Sequence, residues 1–433
     1  MSSQPESMVT YPERKGVVPH KPQEKIRTIV ISGGLLMLST STLVSIINFV
    51  TNVAMARLLG PAQFSQVTAA VTILMLVSAM TLTFQLVCTK FVARNESSSA
   101  KSGVYRPLLR QGWIVSLAVG TALCLAQKPM ALYLHLPDPW ILGVLAIGIA
   151  AYVPLGARRG AMQGTCSFGR LSGNYLVEAV IRFSTAVFLV ALGYGVLGAV
   201  GAISLSVIIA YLIPSLPPQF QAAPQAPSQP ASFREGLQAI VFFVGQVIIN
   251  NIDILLVKHF FAPEEAGFYA AVALVGRVLY FAAWSVVSAM FPVSAAAKSR
   301  QEDPQVLALP LMLVLGVVVT FILIVSLFPA IIMRAIFGAA FTTAGPLLTL
   351  YATATGLYAF SVVLMTYEMS RRIANTGWLQ LVFCGVLIVA IGLFHSTLRE
   401  VVVVQVILMA VLLLMVSLPF FRRYKQLSIE ETT

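Results

Sequence analysis

The chain alternates long apolar runs with short polar joints. Each run approaches the ~20 residues that an α-helix needs to cross the hydrocarbon of a bilayer. They are continuous, which excludes a β-barrel, whose strands alternate apolar and polar positions over segments of about ten residues. Coarse spans fall near residues 29–56, 64–91, 107–127, 139–157, 171–193, 197–216, 237–257, 267–296, 306–330, 343–366, 377–395 and 400–421. The pattern predicts an all-α polytopic membrane protein with about twelve transmembrane helices.

The joints divide the chain. Between spans six and seven lies "PSLPPQFQAAPQAPSQPASF", a Pro/Gln/Ala/Ser-rich segment that reads as an extended linker. The expected plan is a polar, Pro-containing tail over 1–28 and a six-helix lobe over 29–216. The linker follows over 217–236, then a second six-helix lobe over 237–421 and a short tail over 422–433. The first 28 residues carry no apolar stretch of the signal-peptide kind, so they read as a retained, disordered tail. An even number of spans per half gives both halves the same orientation, as in parallel transporter repeats.

A repeated corner supports this division. "ARLLGPAQFSQVTAAV", residues 56–71, returns as "KHFFAPEEAGFYAAVA", residues 258–273, a step of 202. At that step Asn48 falls on Asn250, Pro61 on Pro263, Ala69 on Ala271 and Arg170 on Arg372. Repeats of this kind accompany alternating access around a site between the halves.

Composition fits the spans: 58% of residues are hydrophobic and 10% charged, far below the charge of a soluble domain. The net charge of +12 is distributed by topology rather than gathered into a nucleic-acid surface. With the N-terminus inside, 21 Lys and Arg residues lie on the inner side against 5 in the outer loops, which predicts both termini in the cytoplasm. The four cysteines are scattered and show no metal or disulfide spacing, and the chain shows no cofactor motif, so no metal or cofactor is expected. The outer loops are short and hold no cluster of His, Asp and Glu, which argues against a membrane enzyme such as a glycan polymerase or ligase acting outside the bilayer.

Polar residues inside apolar spans are the candidate chemistry, because lipid penalises them unless they face protein or water. Span one carries Ser41, Ser45, Asn48 and Asn52 on one helical face, and span seven carries Gln246, Asn250 and Asp253 on one face. The two serines read as interhelical hydrogen-bonding groups, and the Asn48/Asn250 pair as a cavity lining. Arg277 lies near the middle of span eight, where a guanidinium suits a diphosphate. It also suits an ion pair with Asp253 on the preceding helix. Asp253 and Glu178 are the acids that could couple H⁺ or Na⁺. Glu178 and Arg182, four residues apart, also read as an intrahelical pair. Arg57 and Lys258 sit at the outer corners, as interfacial anchors or as a basic rim of the mouth. The run "GARRGAMQG" spaces Gly156, Gly160 and Gly164 for close helix contact. Arg158 and Arg159 within it are placed to meet anionic lipid headgroups.

These stretches resemble the polysaccharide-export flippases (Wzx-type) of the MATE-like MOP superfamily. The resemblance rests on "ARLLGPAQFSQVTAAVTIL", on "NNIDILLVKHFFAPEEAGFYAAVALVGRVL" with Asp253, Pro263, Gly267, Tyr269 and Arg277, and on "RRGAMQGTCSFGRLSGNYLVEAVIR" with Gly160, Gln163, Gly164 and Phe168. Ser65 and Gln66 depart from the usual Gly and aromatic of the first corner, and Ala262 from the usual Gly of the second. The resemblance implies a multi-pass protein of the bacterial inner membrane. It would flip a lipid-linked, polyprenyl-diphosphate oligosaccharide from the cytoplasmic to the outer leaflet by alternating access. Its expected partners are that substrate and membrane lipids. The candidate substrate-binding residues are Arg277, Asn48, Asn52, Asn250, Gln246, Asp253, Arg57 and Lys258. The alternative within the superfamily is an ion-coupled multidrug antiporter. That alternative calls for an intramembrane acid in the N-terminal lobe; span one has none, and Glu178 is the buried acid of that half.

Overall fold

The computed structural model describes residues 21–95, 97–213, 237–286, 304–371 and 377–430. The expected linker 217–236, the start of the N-terminal tail, the end of span eight and Arg372 lie outside these residues. The described elements are helical throughout. In chain order they are α1 (Lys21–Arg94), α2 (Ser98–Leu125), α3 (Gln127–Tyr133), α4 (Trp140–Gly164), α5 (Phe168–Leu189) and α6 (Gly195–Leu212). The second half holds α7 (Leu237–Ile249), α8 (Ile252–Phe260), α9 (Pro263–Gly276), α10 (Pro304–Leu327), α11 (Pro329–Phe337), α12 (Gly345–Arg371), α13 (Gly377–Leu393) and α14 (Leu398–Glu430).

Among the described residues, 9 helices are long and apolar enough to cross a membrane. Two of them are double-length. Ser32–Arg94 has 63 residues, which at 1.5 Å per residue is roughly three times a ~30 Å hydrocarbon core. It is folded back at Gly60, whose φ of 72° and ψ of 175° only glycine adopts without strain. Pro61 then starts the returning helix, a position whose missing N–H costs nothing. Phe168–Leu212, 45 residues, turns at Gly193 and Gly195. With the shorter apolar helix Trp378–Leu393, the described helices supply the twelve crossings that the hydrophobic pattern predicts.

The second corner turns differently. Ala262, at the position of Gly60 one repeat later, has φ −57° and ψ 151°, which any residue adopts. That is why alanine is tolerated there.

The helices pack into two bundles. In the first, α4 is central and contacts α1, α2 and α6, while α5 packs on α1 and α6. The glycine stripe of α4 makes this possible. A Cβ on Gly156 would lie 2.4 Å from the Thr81 carbonyl oxygen, one on Gly160 2.4 Å from that of Gln85, and one on Gly164 2.8 Å from that of Thr89. Three glycines four residues apart thus meet three residues four apart on α1, backbone to backbone. In the second bundle α12 packs on α14, α10 and α9, and α13 on α7. The bundles meet chiefly where α1 packs on α9, and where α1 touches α7, α8 and α11.

The corner end of this interface is closed. Gly267, in the first turns of α9, lies against the backbone of Pro61. Phe64 of α1 packs on Phe337 and Phe341, at ring separations of 6.4 and 6.1 Å, and Phe268 packs on Phe341 at 5.9 Å. All four rings come from the two corners and the α11 turn.

Candidate functional site

Two buried ionic clusters lie inside the spans, one in each bundle. The first is built on α4 and α5. Arg159 and Arg182 bind opposite oxygens of the Glu178 carboxylate, so one acid holds two guanidinium groups. Arg159 is 4% exposed, and its Nε donates to Asn174 Oδ1 at 2.8 Å while its plane lies 4.0 Å from the centre of the Tyr175 ring. Arg182 reaches out of α5 to donate to Asn48 Oδ1 at 3.2 Å, and to Ser206 Oγ at 3.4 Å. Polar contacts continue from Tyr175 to Gln85 Oε1, and from Gln85 Nε2 to Gln163 Oε1.

The surplus charge of this cluster comes from Arg159, which the sequence pattern places on the inner side, outside a span. The helix continues through it to Gly164 because the glycine stripe packs to that point. Arg158 lies outside this cluster, half-buried against α6, where it donates to the Tyr211 carbonyl and lies over the Tyr211 ring.

The second cluster surrounds Asp253 in the first turn of α8, a favourable place for an acid in the helix dipole. Its Oδ2 accepts from Tyr269 Oη at 2.8 Å, Tyr351 Oη at 2.9 Å and Gln405 Nε2 at 3.3 Å. Its Oδ1 accepts from Arg277 at 3.2 Å. The ion pair between Asp253 and Arg277 is therefore formed, and it sits in a network of five side chains. Arg277 Nη1 reaches Asn251 Oδ1 at 3.4 Å, while the buried Arg277 Nε has no hydrogen-bond acceptor.

Span seven is broken beside this cluster. α7 ends at Ile249 and α8 starts at Ile252, with Asn250 and Asn251 between them. Asn250 still donates its backbone N–H to the Gln246 carbonyl at 3.3 Å and adds its Nδ2 there at 2.8 Å, whereas the Asn251 N–H turns to the Ile248 carbonyl at 3.0 Å and Asn251 Nδ2 covers the freed Val247 carbonyl at 2.7 Å. Discontinuous spans with polar breaks are a recurrent construction at transporter binding sites. Gln246, 3% exposed, accepts from Tyr280 Oη at 2.7 Å, and its Nε2 donor is buried without an acceptor. Asn250 and Asn48 occupy the same repeat position but not the same surroundings, since Asn48 lies on an unbroken helix and is held by Arg182. Asn52 donates to the Asn48 carbonyl.

The corner residues serve a different purpose. Arg57 crosses from the first bundle to the second, donating from Nε to the Ile336 carbonyl at 2.7 Å and from Nη2 to that of Ala335. It thereby caps the C-terminus of α11, where a cation also meets the negative end of the helix dipole. His259 crosses in the opposite sense. Its Nδ1 donates to the Tyr133 carbonyl at 2.6 Å, at the end of α3, and its ring stacks on Tyr133 with centres 3.8 Å apart. Residues 57 and 259 are separated by 202, and so are 133 and 335. The two contacts are one contact made twice by the repeat. Lys258, beside His259, is 1% exposed and its Nζ has no hydrogen-bond partner, so it is enclosed rather than arrayed at a rim.

Arg159, which the sequence pattern assigns to lipid headgroups, instead pairs with Glu178 in the first cluster, and side chains that the pattern does not single out complete the other contacts: Tyr351 and Gln405 in the second cluster, and His259 with Tyr133 at the corner. Among the described residues no group of three His, Cys, Asp or Glu side chains is placed to hold a metal ion.

Comparison with known proteins gives three findings. The family model described as polysaccharide biosynthesis protein matches residues 31–298. No curated protein matches the chain in sequence. Solved structures match over nearly its whole length. An inward-facing multidrug resistance MATE family transporter of the MOP superfamily superposes with a TM-score of 0.69 at 13% identity, covering 92% of this chain and 99% of that one. The lipid II flippase MurJ in an inward closed conformation gives 0.69 at 12% identity, covering 90% and 87%. An outward-facing MATE transporter of the MOP superfamily gives 0.57 at 17% identity, covering 94% and 96%. The fold is that of the MOP-superfamily transporters.

Proposed function

The chain belongs to the polysaccharide biosynthesis protein family, and from that membership we propose that it is a flippase rather than an enzyme. Its substrate is a polyprenyl-diphosphate oligosaccharide, moved from the cytoplasmic to the outer leaflet of the bacterial inner membrane for polysaccharide export. Both termini lie in the cytoplasm, so the Gly60–Pro61 and Ala262–Pro263 corners face outward. The closed corner end then corresponds to an inward-facing state. The better superposition on an inward-facing than on an outward-facing MATE transporter supports that assignment.

The observation that carries the substrate class is the charge balance inside the spans. The acids of the two clusters are fully engaged, Glu178 by two arginines and Asp253 by Arg277, Tyr269, Tyr351 and Gln405, while the third buried acid, Glu368, lies at the far end of its span. The first cluster holds two guanidinium groups to one carboxylate. Such a site attracts an anionic headgroup and repels the cationic compounds that a drug antiporter would carry. Arg182 and Asn48 face the substrate from one bundle. Arg277, Gln246 and the Asn250–Asn251 break face it from the other, with the unused Arg277 Nε and Gln246 Nε2 as donors to phosphate and sugar oxygens. Sugar hydroxyls cross only with such partners, because desolvating them unpaired is costly. Rocking of the bundles then exposes the headgroup at the corner end while the polyprenyl tail stays in lipid.

The test is deletion of the gene followed by analysis of lipid extracts. The proposal requires a polyprenyl-diphosphate oligosaccharide to accumulate on the cytoplasmic leaflet. Normal glycan export together with new drug sensitivity would instead establish the antiporter.

A further inference from the structure

A cavity of about 410 Å³ opens between the bundles at the corner end, lined by Arg57 and Gly60 of the first and by Arg334, Phe337, Gly338 and Phe341 of the second. Two of its lining residues are arginines and none is acidic. The side chain of Arg334, in the last turn of α11, has no hydrogen-bond or ion-pair partner among the described residues. Arg57 spends Nε and one Nη2 proton on the Ile336 and Ala335 carbonyls. A guanidinium has five N–H donors, so both protons of Nη1 remain for a ligand.

The repeat shows that the second arginine is not part of the clamp. The same contact is built again by His259 and Tyr133, and there the residue at the position of Arg334 is Leu132. A clamp of this shape therefore forms with leucine in that place. Arg334 thus lines the same cavity as Arg57 without being needed for the clamp.

We propose that this cavity binds a phosphate group, bridging Arg57 of the first bundle and Arg334 of the second. The planar fork of each guanidinium matches phosphate oxygens. Because the two arginines belong to different bundles, a bound phosphate ties the corner end shut. The site is separate from the buried clusters at Glu178 and Asp253 and does not depend on which substrate the protein carries. The phosphate can come from an anionic lipid headgroup in the leaflet at the corner end or from solution.

The experiment uses the full chain purified in a neutral detergent. In separate arms it is titrated with inorganic phosphate and with micelles containing phosphatidylglycerol, with phosphatidylcholine as the neutral control. Native mass spectra read the bound adduct, and amide hydrogen exchange reads segment 329–341. The wild type should take up one anion saturably and exchange more slowly over 329–341 when it is bound. Arg334→Leu, the residue used by the other repeat, should weaken binding by about ten-fold or more, as loss of one charge-assisted contact predicts. Arg334→Lys should recover part of the binding. Retention of phosphatidylglycerol alone identifies a headgroup site, and retention of inorganic phosphate identifies a site for the free ion. Equal retention by wild type and Arg334→Leu in both arms overturns the proposal, as does the absence of saturable binding in the wild type.

Discussion

Gly267 approaches Pro61 so closely that a Cβ on it would come 2.0 Å from the Pro61 carbonyl oxygen. The two corners that the sequence repeats are thus in direct contact, one from each bundle. Their mutual fit closes that end of the protein. Gly267→Ala drives a methyl group into this contact, and overpacking of that kind costs about 1–3 kcal/mol. At ~1.4 kcal/mol per decade the balance between closed and open corner moves by about 5- to 150-fold. Amide exchange over 57–64 and 263–270 should accelerate accordingly. Gly173→Ala, where a Cβ meets nothing within 4 Å, should leave it unchanged. Equal exchange in wild type and Gly267→Ala would show that the contact does not hold the corner.

The two repeat-related clamps should differ in strength. Hydrogen bonds to a charged donor are worth about 1.5–3 kcal/mol and neutral ones about 0.5–1.5 kcal/mol. Arg57→Ala should therefore loosen α11 more than His259→Ala loosens α3. Exchange rates over 329–337 and 127–133 read the two effects separately. His259→Arg copies the first clamp into the second and should protect 127–133 beyond the wild type. A larger effect from His259→Ala than from Arg57→Ala contradicts this ranking.

The glycine stripe of α4 sets the stability of the first bundle. Gly160→Leu places a branched side chain where a Cβ alone would be 2.4 Å from the Gln85 carbonyl. α4 and α1 must separate, and the polar chain through Gln85 and Gln163 is lost with them. The expected outcome is a marked fall in folded protein, read as monodisperse yield from membranes and as Tm. Gly169→Ala, where a Cβ meets nothing within 4 Å, should be neutral or slightly stabilising, since alanine is favoured over glycine in a helix by about 1 kcal/mol.

Much of this architecture is written in the residues, and the exceptions have physical causes. The spans are legible because lipid admits little but apolar side chains, and the first corner because Gly60–Pro61 has few other uses. The stripe of Gly156, Gly160 and Gly164 predicts the right contact but not where the span ends. Arg158 and Arg159 look like the end of a span, whereas Arg159 is neutralised within the bundle by Glu178, which is distant in sequence. The break at Asn250–Asn251 is invisible to periodicity, since Gln246, Asn250 and Asp253 keep helical spacing across it. The corner clamps leave still less trace. Their acceptors are backbone carbonyls, so Tyr133 and Ala335 share a position and a role without sharing a side chain.

Asp253 and Arg277 can be separated into structural and transport roles. Asp253→Asn leaves Arg277 buried without its counter-charge, and breaking a buried pair from one side costs about 3–5 kcal/mol. The protein should fall in abundance. Asp253→Asn combined with Arg277→Gln removes both charges and keeps the Tyr269 and Tyr351 hydroxyls supplied with an acceptor, so abundance should recover. Glycan export should not recover if Arg277 meets the substrate. Export at wild-type level in the double variant would assign the pair to folding alone.

The first cluster makes a sharper distinction, because its two arginines are not equivalent. Arg159 is enclosed by Glu178, Asn174 and the Tyr175 ring. Arg182 keeps 13% of its side chain exposed and touches Asn48 on the facing helix. Arg182→Gln leaves Glu178 paired with Arg159, so the bundle should fold and reach the membrane at near-normal levels. Export should drop by about ten-fold or more, the loss of one charge-assisted contact to the headgroup. Glu178→Gln instead leaves two buried guanidinium groups facing one neutral amide, and like charges in that setting should deplete the folded protein. An inversion of this pattern, with Arg182→Gln unstable and Glu178→Gln stable but inactive, would move the functional weight from the cation to the acid. It would reopen Glu178 as an ion-coupling group.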